Sequence, residues 1–90
     1  MANNLLLKGT QIDCPTSRGA ASTFSSATLV RLVNTGTTVR LVTLVEEASG
    51  TVVGTFSLPG GEVEYLEKVA SYAIFAASNE VKGAACGYTN

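Results

Sequence analysis

The residues able to do chemistry are few, and they sit in one short stretch and at the two ends. Glu62, Glu64 and Glu67 crowd together, with Lys68 beside them. In an extended strand, side chains two apart point the same way, so Glu62 and Glu64 share a face, and paired carboxylates are the machinery of glycoside hydrolysis. The simpler assignment is a solvated sheet face with Lys68 as a neighbour, and it is preferred here. The chain has no histidine, which removes the commonest general base and metal ligand. A cysteine nucleophile would therefore lack its usual partner. Cys14 and Cys86 form no Cys-x-x-Cys pair, so a zinc site would need these two plus carboxylates. Asp13 is the only aspartate, which leaves no calcium loop. Pro59-Gly60-Gly61 lacks the lysine and helix that follow a phosphate loop, and reads as a tight hairpin turn. The expectation is a protein that is not an enzyme, with no catalytic residues, no cofactor and no metal.

The composition points the same way. Apolar residues make up 46% of the 90 positions and charged residues only 14%, against about 25% in an ordinary soluble domain. Charge keeps small domains apart in solution, so a charge-poor surface suggests one covered by partners; a surface rich in Ser, Thr, Asn and Gly is the alternative. The net charge of −1 and six scattered basic residues offer no footprint for nucleic acid or an anionic membrane. No window approaches the roughly 20 apolar residues of a membrane span, and the first residues do not resemble a secretory signal. Synthesis in the cytoplasm is expected. There, two buried thiols at Cys14 and Cys86 are preferred over a disulfide joining the domain's ends.

The elements that must carry these residues are strands. Val, Thr, Leu and Ser dominate, and turn signals recur every eight to twelve positions, a spacing that suggests a sandwich or barrel. Extended segments are expected at residues 5–12 (interrupted at Gly9), 28–33, 38–46, 52–58, 62–68, 70–76 and 81–88. Asn34 and Gly36 suit a turn with positive φ that would make 28–33 and 38–46 a hairpin pair. Leu41 and Phe56 are expected in the core. Residues 15–26 read as a long polar loop or arm. The strands at 28–33 and 38–46 are apolar on both faces, where a half-buried antiparallel strand should alternate. Either the arm covers their second face or a neighbouring subunit does. The chain is thus expected to form one domain overall, with an N-terminal strand and arm at 1–26 and a sandwich body at 27–90.

The run Leu32-Val33-Asn34-Thr35-Gly36-Thr37-Thr38-Val39, with Phe56-Ser57-Leu58-Pro59-Gly60-Gly61-Glu62-Val63 after it, resembles an immunoglobulin-like β-sandwich. The stretch from Leu58-Pro59-Gly60-Gly61-Glu62 through Glu67-Lys68 to Ile74-Phe75-Ala76 resembles small accessory structural proteins of tailed-bacteriophage virions. The likeness covers residues 28–88 and carries no catalytic residues. It implies a small antiparallel all-β sandwich and a capsid decoration, or cement, protein that ties major capsid subunits together in the virion, in repeated copies or as a homo-oligomer. A tail, neck or fibre component and a host-surface recognition module are the alternatives. A glycan binder fits poorly, because such proteins display exposed aromatics and this chain has no tryptophan. Residues 1–26 match neither pattern. Within them Leu5, Leu6, Leu7, Arg18 and Phe24 are the candidate partner-binding residues, with Phe24 as an anchor inserted into the neighbour.

Overall fold

The computed structural model describes residues 4–89, with side chains for residues 5–87. Eight strands follow one another: β1 (Asn4–Leu7), β2 (Ile12–Asp13), β3 (Leu29–Asn34), β4 (Arg40–Val45), β5 (Val52–Leu58), β6 (Val63–Glu67), β7 (Ala73–Ala76) and β8 (Val81–Thr89). The one helical element described is a single 3-10 turn, Arg18–Ala20. The strands form two antiparallel sheets. One runs β1-β8-β3-β6, with β2 also paired to β8, and the other runs β5-β4-β7. The chain is an all-β sandwich: each sheet has an apolar face, and burying it takes a second layer.

The pairing explains the order. β4 pairs with β5, β3 with β6, Ser22 bridges to Ile74 of β7, and β1 and β2 pair with β8. These pairs nest inside one another. The described chain is therefore one long antiparallel hairpin with its tip between Val45 and Val52, rolled up until β8 also meets β3 and β4 also meets β7. Two sheets made this way have the order of a jelly roll. In an immunoglobulin sandwich the last strand lies beside the one before it. Here β8 lies between β1 and β3, in the sheet opposite β7.

Two expected hairpins are not hairpins. β3 and β4 belong to different sheets, and so do β5 and β6. Neither Asn34 nor Gly36 has positive φ; among the described non-glycine residues the left-handed ones are Phe24, Ser25, Ser26 and Ser49. Asn34 ends β3 fully buried. Its Oδ1 accepts the Gly36 N–H at 3.0 Å, and its Nδ2 donates to the carbonyls of Thr38 at 2.7 Å and Leu58 at 2.9 Å. The side chain itself turns the strand out of one sheet, because Asn can replace backbone partners at a bend. The Gly61 N–H returns to the Asn34 carbonyl at 2.8 Å, so one residue fastens both crossings. The β4–β5 turn is a true hairpin, closed by Gly50 N–H to Glu47 O at 2.7 Å with Ser49 at φ 63.

The core lies between the sheets: Val30 and Leu32 of β3, Val42 of β4, Leu58 of β5, Ile74 and Ala76 of β7, Val81 of β8, and Cys14 and Phe24 from the connection before β3. Phe56 packs against this cluster from the side. Leu41 does not join it and is 46% exposed. Strand alternation decides this: Val42 and Leu44 point in, which leaves Leu41 on the outer face. That outer face is covered only in part. Thr43, Val45 and Ala73 are buried, and the turn Arg18–Ala20 packs on β7, with the Arg18 carbonyl accepting the Ser49 N–H at 2.9 Å. The connection thus does the covering expected of the arm at this end of β4 and leaves Leu41 open.

Candidate functional site

β8 pairs with β3 only through Ala85. Its remaining residues pair with β1, Leu7 opposite Cys86 through Asn4 opposite Thr89. The result is a two-stranded ribbon that continues past the body of the sheet. Leu5 and Leu7 share one face and Leu6 takes the other. All three are open, at 42%, 65% and 43% exposure. Apolar side chains on both faces of a projecting ribbon form the most concentrated exposed apolar feature of the sequence-nominated set. Met1–Asn3, the beginning of the expected arm, lie outside the described residues.

The five nominated residues do not converge. Leu5, Leu6 and Leu7 lie together on the ribbon. Arg18 is exposed on the 3-10 turn, against the opposite sheet. Phe24 is 4% exposed and belongs to the core, so it anchors its own chain rather than a neighbour. A Cβ at Gly83 would lie 2.7 Å from the Phe24 ring and 3.0 Å from Leu32. The glycine in β8 is thus the space the ring fills. Residues 15–26 are bound in elsewhere too: the Pro15 carbonyl accepts the Ala76 N–H at 2.9 Å, and Ser22 exchanges both backbone bonds with Ile74 at 2.8 and 3.0 Å. This segment is a structural edge of the smaller sheet, not a free arm.

Burying Phe24 has a conformational cost. Phe24, Ser25 and Ser26 are three consecutive left-handed residues, at φ 52, 61 and 58, each costing about 1–2 kcal/mol. Local bonds hold the turn: Phe24 N–H to Ser22 Oγ at 3.0 Å, Ser26 N–H to Thr23 Oγ1 at 3.1 Å, and Ala27 N–H to the Thr23 and Phe24 carbonyls. Two open clefts flank it. One, of about 270 Å³, is lined by Gly9, Thr10, Ile12, Ser22, Phe24, Ser25 and Ala85. The other, of about 180 Å³, is lined by Lys8, Ser25 to Thr28, Ala85 and Cys86. No carboxylate lines either.

The residues with chemical potential lie apart from these clefts. Glu62, Glu64 and Glu67 are exposed along the edge strand β6 and its entry, and Glu64 Oε1 accepts the Tyr65 N–H at 3.1 Å. Lys68 is not their partner. It is buried, with Nζ donating to the Ala70 carbonyl at 3.2 Å and the Val69 carbonyl at 3.4 Å, and burial lowers its pKa. The cysteines are free thiols facing opposite sides of one sheet: Cys14 packs in the core, while Cys86 lies opposite Leu7 on the outer face. Burial pushes the Cys14 thiol up to about 12, with Asp13 adding to the shift. It raises Cys86 as well, against the lowering influence of Arg31 and Lys8. Among the described residues no group of three His, Cys, Asp or Glu could hold a metal ion, and no helix is long and apolar enough to cross a membrane.

Exposed apolar residues at both ends of the β4–β5 pairing were not among the nominated residues: Leu41 stands opposite Ser57 at one end, and Val52 and Val53 lie beside Val45 at the other. The signal was present in the alternation of β4, which cannot put both Leu41 and Val42 inside. No protein-family model, no curated protein and no solved structure matches the chain.

Proposed function

We propose that this protein is a structural subunit that binds other protein subunits, and that its setting is a virion, where it decorates the shell and ties major capsid subunits together. The observation that carries the binding role is the β1–β8 ribbon, with Leu5, Leu6 and Leu7 open on both faces in a chain of low charge. Open apolar clusters of this kind mark protein interfaces. A ribbon edge also offers unpaired backbone groups to an added strand. The virion setting rests on the resemblance of the Leu58–Ala76 stretch to accessory virion proteins. Jelly-roll order agrees with it, since capsid domains use that order, as do lectins and cupins.

The test is co-sedimentation with shells purified from particles grown without this gene. Wild-type protein is expected to pellet saturably with the shells. Leu5→Asp/Leu7→Asp is expected to stay in the supernatant while keeping the wild-type melting curve. Wild-type protein that pellets with isolated tails and not with shells would assign it to the tail or fibre instead. Protein that ignores both would end the virion reading.

A further inference from the structure

β5 is an edge strand: it pairs with β4 on one side, and no described strand pairs with the other. Proteins usually guard such edges with lysine, proline, an inward charge, a bulge or a covering loop. The free edges here are guarded unequally. β6 has Glu64 and Glu67 in its five residues and Glu62 just before it. The outer edge of β7 is occupied by Pro15 and Ser22. β1 (Asn4–Leu7) is followed at once by Lys8. β5 spans seven residues, and from residue 50 to residue 61 the chain has no charged side chain at all. Its guards stand only at its two ends, a register shift opposite Leu44/Val45 at the beginning and Pro59 just after Leu58. Gly54 to Leu58 continue in regular register between them.

We infer that β5 pairs antiparallel with β5 of a second copy about a two-fold axis at Thr55, joining the two small sheets into one of six strands. The axis is fixed by shape. Gly54 lies opposite Leu44, a core residue left partly exposed, and a Cβ at Gly54 would meet nothing within 4 Å. With Thr55 facing the second Thr55, each Gly54 faces the other copy's Phe56. The ring then covers the gap over Leu44, as an aromatic opposite an edge glycine does. Thr55 and Ser57 are exposed on the outer face, where Leu41 lies open on the adjoining strand. The contact is isologous, so each copy contributes the same residues. No like charges meet in it, and the uncharged edge fits a copy of itself better than it fits a charged partner. This surface is separate from the β1–β8 ribbon, so the inference stands or falls apart from the shell-binding reading.

Single-cysteine variants test the axis in the full chain. Thr55→Cys would set two sulfurs on directly opposite residues, within disulfide reach. Ser57→Cys would place its two copies about 13 Å apart along the strands. The native thiols are buried and serve as an internal background. Under mild oxidation across a concentration series, Thr55→Cys is expected to give a covalent dimer and Ser57→Cys none. Thr55→Lys sets two ammonium groups face to face at the axis and is expected to weaken self-association at least ~tenfold in sedimentation equilibrium, with unchanged melting. No dimer from Thr55→Cys, or as much from Ser57→Cys, overturns the inference. So does a Thr55→Lys protein that associates as the wild type does.

Discussion

Replacing Asn34 with alanine removes a side chain that holds three backbone groups where the chain crosses between sheets. The Leu58 carbonyl loses its donor inside the protein, and a buried unsatisfied carbonyl costs about 1–3 kcal/mol. The Thr38 carbonyl and the Gly36 N–H are only partly buried and recover bonds from water, so each loss costs about 0.5–1.5 kcal/mol. Together they come to about 2–6 kcal/mol, a large share of the roughly 5–13 kcal/mol expected for a domain of this size. Urea unfolding followed by circular dichroism should show the midpoint falling with an unchanged slope. Asn34→Asp should be worse at neutral pH, because a carboxylate would face two carbonyls. Its deficit should narrow at acid pH, where a protonated carboxyl regains one donor. A loss below about 1 kcal/mol for Asn34→Ala would refute the assignment of Asn34 as the fastening of both crossings.

Phe24→Ala should cost about 3–5 kcal/mol in the same assay, because the ring fills the space above Gly83 and β8 has no side chain to replace it; a change under 1 kcal/mol would return Phe24 to the surface. Deleting residues 15–26 should abolish cooperative unfolding, since the segment supplies Phe24 and the edge of β7, and a folded deletion protein would restore the free arm. Leu41→Gln should shift stability by less than about 0.5 kcal/mol, whereas Val42→Ala on the same strand should cost about 1–3 kcal/mol. The Cys14 thiol is raised in the folded state, so its contribution is complete below the ordinary value near 9.0 and is lost as pH climbs toward about 12, at about 1.4 kcal/mol per pH unit. Cys86 acts in the same direction. Lys68, whose pKa is lowered, opposes it, because its neutral form suits the buried site at high pH. The alkaline slope should therefore be read as wild type minus Cys14→Ala, and equal slopes would contradict the burial of Cys14.

The sequence by itself determined the fold class. Residues 52–58 alternate because one face must meet a second layer, and the alternation survives in β5 with Phe56 and Leu58 inward; in β6 it does not, since Leu66 packs inward on the same face as Glu64 while Val63 and Tyr65 stand exposed on the other. The break at Ser49-Gly50 was legible because local turn chemistry fixes it, and Gly9 falls in the gap between β1 and β2. Leu5, Leu6 and Leu7 were nominated from the sequence, and the structure keeps them together at the surface because only β8 flanks them. What only the tertiary structure decided was which strand pairs with which. Asn34-Thr35-Gly36 and Pro59-Gly60-Gly61 have turn composition whether the chain doubles back or crosses to the other sheet, and that choice depends on where the far end of the rolled hairpin lands. Phe24 sits in a polar run with no periodicity, so nothing local marks it as core. Its place follows from Gly83, which is distant in sequence but adjacent in space. Leu41 and Val42 are both apolar, and only the register against Ser57 and Phe56 decides which of them faces the interior.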